Sequence, residues 1–107
     1  MPRDVLPQRR GGETVQFRHW NMDFCAITGH YDDGRIGEVF MSAGKLTSAT
    51  DIAIKEAAIA VSFALQFGAT LDDMRRAMPR KTPVNKDDIG EPEGPLGKLM
   101  DLLEQKP

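Results

Sequence analysis

The chain has 107 residues, one cysteine and a formal net charge of −2, with 40% hydrophobic and 28% charged residues. That length supports one modest core, and the balance of charge argues against a general nucleic-acid binder, whose phosphate contacts call for a basic excess. A lone Cys25 excludes an intrachain disulfide and a four-cysteine zinc site within one chain. The N-terminal residues lack the apolar stretch of a signal peptide, and the most apolar run, Ala57 to Phe67, falls far short of the ~20 residues of a membrane span. A cytoplasmic chain without membrane contact is expected.

Residues 1–12 hold two prolines, paired glycines and Arg3, Arg9 and Arg10, and read as an irregular basic arm. Glu13 to His19 alternates, with Val15 and Phe17 on one side, which predicts a half-buried strand. Trp20-Asn21 predicts a turn. Met22 to Tyr31 follows as a second strand, with Phe24 and Ala26 on one face and Cys25 and Ile27 on the other. Asp32-Asp33-Gly34 is a strong hairpin signal, because Asp-Gly tolerates positive φ. Arg35 to Ser42 gives a third strand, where Gly37 suggests a bulge or a close backbone approach.

Ala43-Gly44-Lys45 ends the sheet. Ser48 with Asp51 three residues on resembles a capping box, and the helix it starts runs to about Phe67 with Gly68 at C′. Thr70 and Asp73 repeat the pattern for a short helix that stops near Met78, before Pro79. Residues 80–94 are polar and proline-bearing and read as a linker. In 95–107, Pro95 opens a last helix whose Leu96, Leu99, Met100 and Leu103 form an amphipathic stripe. The fold class expected is α+β: a three-stranded antiparallel meander, two helices on one face, a linker and a short C-terminal helix, with 13–79 as the α+β domain.

The first helix carries its polar residues Asp51, Lys55, Ser62 and Gln66 on one narrow stripe, with Ile, Ala, Val, Phe and Leu around most of the remainder. Such a helix is buried on several sides. Either the C-terminal helix folds back onto it, or a partner subunit covers it; the reading favours a homo-oligomer.

Candidate binding residues are basic or hydroxylic. Gly44-Lys45, Thr47 and Ser48 stand at a helix N-terminus, where free N–H groups and the helix dipole favour an anion. Arg75, Arg76, Arg80 and Lys81 cluster at the end of the second helix, where cations also complement the helix C-terminus. Arg35 flanks the hairpin turn, and Trp20 offers a ring for stacking on a base. The ligand-binding set is therefore Arg35, Lys45, Thr47, Ser48, Arg75, Arg76, Arg80 and Trp20. No metal-ligand spacing and no acid–base pair stands out, so no cofactor, no metal and no enzyme activity are expected.

Leu6-Pro7-Gln8-Arg9-Arg10, Glu13-Thr14, the run Asp33 to Phe40, Gly44-Lys45 and the run Ser62 to Gly68 together resemble the TSCPD domain. That domain occurs at the C-terminus of adenosylcobalamin-dependent ribonucleotide reductases and in short free-standing proteins. Thr47-Ser48-Ala49-Thr50-Asp51 takes the place of its Thr-Ser-Cys-Pro-Asp motif, with the cysteine and proline replaced. The resemblance implies an accessory domain. In size and element order the chain is also similar in outline to phage proteins that sequester nucleotide immune signals, as in countering Thoeris defence. The leading expectation is a non-catalytic binder of a small phosphorylated nucleotide, a phage sponge for a cyclic nucleotide or cyclic ADP-ribose-type signal. The alternative is an accessory or detached C-terminal domain protein of the reductase, docking through the C-terminal helix stripe; a small nucleotide enzyme ranks last.

Overall fold

The structure is a computed structural model that describes residues 2–44 and 48–105. Three strands, β1 (Gly12–His19), β2 (Met22–His30) and β3 (Ile36–Ala43), form an antiparallel sheet in the order β1-β2-β3. Three helices follow: α1 (Ala49–Gln66), α2 (Leu71–Ala77) and α3 (Pro95–Glu104). This is the expected α+β class.

Both hairpins form where the turn chemistry places them. Trp20 and Asn21 both take positive φ (52° and 61°), the twist a two-residue hairpin requires. Gly34 takes φ 92° in the second turn. The register shift falls between Gly29 and His30 of β2, which pair with Glu38 and Ile36, so Gly37 is the extra residue of a bulge, as its place in the strand suggests. Gly37 also serves a close approach of side chains: a Cβ there would stand 2.6 Å from the Tyr31 ring and 2.8 Å from Leu6.

One face of the sheet carries Phe24, Ala26, Val39, Met41 and Ala43 into the core. Ile54, Ala58, Val61 and Leu65 of α1 meet them, and Leu99, Met100 and Leu103 of α3 complete the cluster. The C-terminal helix thus docks in cis. Its stripe is consumed by its own core, with Leu99 fully buried, so the expected docking of a reductase through that stripe does not hold.

The polar stripe of α1 lies along the outer edge of β3. Asp51 Oδ1 accepts from the Ala43 N–H at 3.0 Å. Ser62 Oγ accepts from the Val39 N–H at 2.8 Å, and its proton points between the carbonyls of Val39 (3.1 Å) and Ala58 (2.9 Å). Gln66 Nε2 donates to the Gly37 carbonyl at 3.0 Å. The lengths match: Asp51 to Gln66 rises about 22 Å along a helix and Ala43 to Gly37 spans about 20 Å of strand. An edge that would otherwise invite another strand is satisfied by side chains.

The N-terminal arm is strapped over the far end of this helix. Asp4 N–H donates to the Gln66 carbonyl at 2.8 Å, the Tyr31 hydroxyl donates to the Asp4 carbonyl, and Arg10 pairs with Glu38 at 2.5 Å. Burial, and then the nearby Asp4 carboxylate, push the Tyr31 phenol above its usual value.

Replacing Ser62 by Ala removes the hydroxyl with little change of volume, and with it both edge contacts. We expect a loss of about 1–3 kcal/mol in unfolding free energy, read by urea denaturation, from leaving the Val39 N–H and carbonyl unpaired.

Candidate functional site

The basic residues at the end of α2 are held by carboxylates. Arg80 directs Nη2 and Nη1 at Asp101 Oδ1 (2.7 Å) and Oδ2 (3.0 Å). Its Nε and Nη2 also donate to the Arg75 carbonyl at 3.0 and 2.8 Å, and Nη1 to the Gly90 carbonyl at 2.9 Å. A guanidinium has five N–H groups, and all five are engaged. Hydrogen bonds from Arg80 to Asp101 hold its pKa above the ordinary arginine value. Arg75 stands between Asp72 (3.0 Å) and Asp101 (3.4 Å), although its Nε is off the line of a hydrogen bond to Asp72. Arg76, more exposed, pairs with Asp72 at 3.0 Å and lowers that carboxyl's pKa.

Arg80 also closes the loop that follows it. Its backbone bridges Pro92, Lys81 N–H donates to the Glu91 carbonyl at 2.9 Å, and Glu93 N–H to the Pro79 carbonyl at 3.0 Å. Gly90 sits at φ 88° against the Lys81 carbonyl, where a Cβ has no room. Trp20 Nε1 donates to the Glu93 carbonyl at 2.8 Å, and His19 Nε2 lies 2.9 Å from the same oxygen. Trp20 therefore clips this loop to the β1–β2 turn.

Arg35 pairs with Asp33 at 2.7 Å and Asp4 at 3.4 Å, over the Tyr31 ring. The Arg35 backbone N–H, and then its side chain, hold the Asp33 carboxyl below the usual range. Ser48 caps α1 by accepting from the Asp51 N–H at 3.2 Å. Lys45 and Thr47 lie outside the described residues. These positions do not converge. Trp20 and Gly44 share one end of the sheet, since Gly44 N–H donates to the Asp23 carbonyl at 2.7 Å. Arg35 lies at the other end of β2, about 27 Å away at the strand rise per residue.

What the structure leaves open is apolar. The outer sheet face carries the cross-strand pair Ile27 and Phe40, both about half exposed. Beside them Ile59 of α1 joins a groove of about 360 Å³ that also includes Cys25 and Lys55. A second, more polar hollow of about 560 Å³ lies on the same face over Gln16, Arg18, Asp23 and Ser42. The signal for this face was in the sequence: Ile27 and Phe40 are apolar on strand positions opposite to the core face, as in a strand covered on both sides. Among the described residues no group of three or more His, Cys, Asp or Glu is placed to hold a metal ion, and no helix is long and apolar enough to cross a membrane.

The chain is 41% identical over 71 residues to a vitamin B12-dependent ribonucleotide reductase of Bradyrhizobium diazoefficiens. It is 37% identical over 71 residues to one of Agrobacterium fabrum. Two thirds of this chain is similar to part of a ribonucleotide reductase. Each match takes in 66% of this chain, and the chain spans about 6% of the length of these curated relatives. No family model matches the chain, and no solved structure does. The similarity overturns the leading expectation of a phage sponge for a nucleotide signal: the related proteins are reductases.

Truncating Arg80 separates a structural cation from a surface one. Arg80→Ala leaves a half-buried Asp101 and two carbonyls without their donor, and we expect it to cost about 3 kcal/mol of stability. Arg76→Ala, at an exposed pair, is expected to cost under about 1 kcal/mol in the same denaturation assay.

Proposed function

We propose that this chain is a TSCPD-type accessory domain that acts on a vitamin B12-dependent ribonucleotide reductase and does not itself carry out the reduction. The observation that carries this reading is the 41% identity over 71 residues to such a reductase, of which the chain spans only 6%. A segment so small relative to the enzyme supports binding or positioning rather than the whole reaction. The same reading places the chain in the cytoplasm.

Physical chemistry gives the resemblance a structural basis. Of the Thr-Ser-Cys-Pro-Asp pattern, Ser48 and Asp51 are retained. Ser48 caps α1, while the fully buried Asp51 ties the first helical turn to Ala43 at the end of β3 and to Lys55 at 2.8 Å. Those two residues set how α1 leaves the sheet. Ala49 and Thr50, at the cysteine and proline places, are the first two residues of α1. Any contact with the reductase must use the open surface, because the α3 stripe is internal.

Immobilised chain exposed to the purified B12-dependent reductase of the same organism should show saturable binding by biolayer interferometry. Absence of binding with the reductase in its substrate-, effector- and cofactor-loaded states would sink the proposal. Leu99→Asp is unsuitable as a docking variant, since it places a charge in the core and unfolds the chain.

A further inference from the structure

The face of α1 turned away from the core and from β3 is apolar to a degree unusual for a surface helix. Ile52, Ile59, Phe63 and Phe67 are each about half exposed, with Ala53 and Ala60 exposed beside them. Ile52, Glu56, Ile59, Phe63 and Phe67 recur every three or four residues and form one stripe. Phe40 and Ile27 continue the patch onto the sheet through the groove at Ile59. Six such side chains, half exposed, show about 600 Å² of apolar surface if each offers ~200 Å² in full. That is the upper end of what a lone domain displays. With a polar rim it approaches the ~800 Å² per partner of a stable interface.

We infer that this stripe is covered by a second copy of the same chain, α1 crossing α1 antiparallel about a two-fold axis between Ile59 and Ala60. The stripe is self-complementary about that point. Antiparallel pairing sets Ile52 of one copy against Phe67 of the other, and Ile59 against Ala60, where a small residue admits a large one. It also sets Glu56 against Phe63. The Phe63 ring carries Arg3 above it, its guanidinium carbon 5.2 Å from the ring centre. The only acid on the stripe therefore meets a cation of the second copy, twice by symmetry. A two-fold contact of this kind is closed, so it ends at a dimer. This assignment is independent of the reductase reading.

Sedimentation velocity on the full chain, from low micromolar to near-millimolar concentration, tests it. The wild type should be a dimer. Ile59→Asp, at an exposed position, should be monomeric with an unchanged circular dichroism spectrum. Glu56→Arg should weaken the dimer about fivefold, the size of an exposed pair, and adding Arg3→Glu should restore it. With Cys25→Ser as background, Ala60→Cys should give a disulfide-linked dimer on oxidation, while Ala57→Cys, turned further toward the core and half-buried, should not. A monomeric wild type, a dimer that survives Ile59→Asp, or cross-linking at Ala57 and not at Ala60 overturns the inference. A monomeric wild type whose reductase binding is lost in Ile59→Asp overturns it too, and gives the face to the reductase. A dimer that fails to bind the reductase leaves it standing while removing the proposed function.

Discussion

The fold depends on how one helix satisfies the open edge of a small sheet. A three-stranded sheet has two edges for three strands, and each edge presents unpaired N–H and carbonyl groups. Here α1 brings Asp51, Ser62 and Gln66 along β3 at intervals that match the strand repeat. The helix is thereby fixed in register as well as direction. Ile54, Ala58, Val61 and Leu65, a fraction of a turn around, are then delivered to the core. Apolar packing alone would permit the helix to slide; hydrogen bonds to named strand positions do not.

That same placement determines what stays uncovered. With one flank on the core and the next on the β3 edge, Ile52, Ile59 and Phe63 face outward next to Ile27 and Phe40. The remaining elements do not reach them. α3 is committed to the core through Leu99, Met100 and Leu103, and α2 is tied to α3 by the Arg75, Arg80 and Asp101 ion pairs. The arm crosses only the end of the stripe, at Phe63. An apolar outer surface is thus a consequence of the edge contact and not a defect of packing.

Two of the basic residues that suggest a phosphate site, Arg80 and Arg35, have structural employment. Arg80 spends every donor on Asp101 and on two carbonyls, closing the loop before α3. Arg35 lies between Asp33 and Asp4 at the far end of the sheet. The similarity to part of ribonucleotide reductases speaks against a phage sponge for a nucleotide signal.

By itself the sequence determined the local elements. Alternation marked the strands, Trp20-Asn21 and Asp33-Gly34 marked the turns, and Ser48, Thr70 and Pro95 marked the helix starts, because each of these signals acts within a few residues of chain. It also showed that α1 has too much apolar surface for one small core. Only the tertiary structure decided which way that helix turns. Asp51, Ser62 and Gln66 read as a polar stripe, but whether such a stripe meets water or a strand edge depends on a partner distant in sequence. The same holds for Arg80, whose carboxylate lies 21 residues on, and for α3, whose stripe could equally have served a partner until the core claimed it. Periodicity reports that a face is apolar or polar; what lies against it is fixed by long-range packing, which no local spacing encodes.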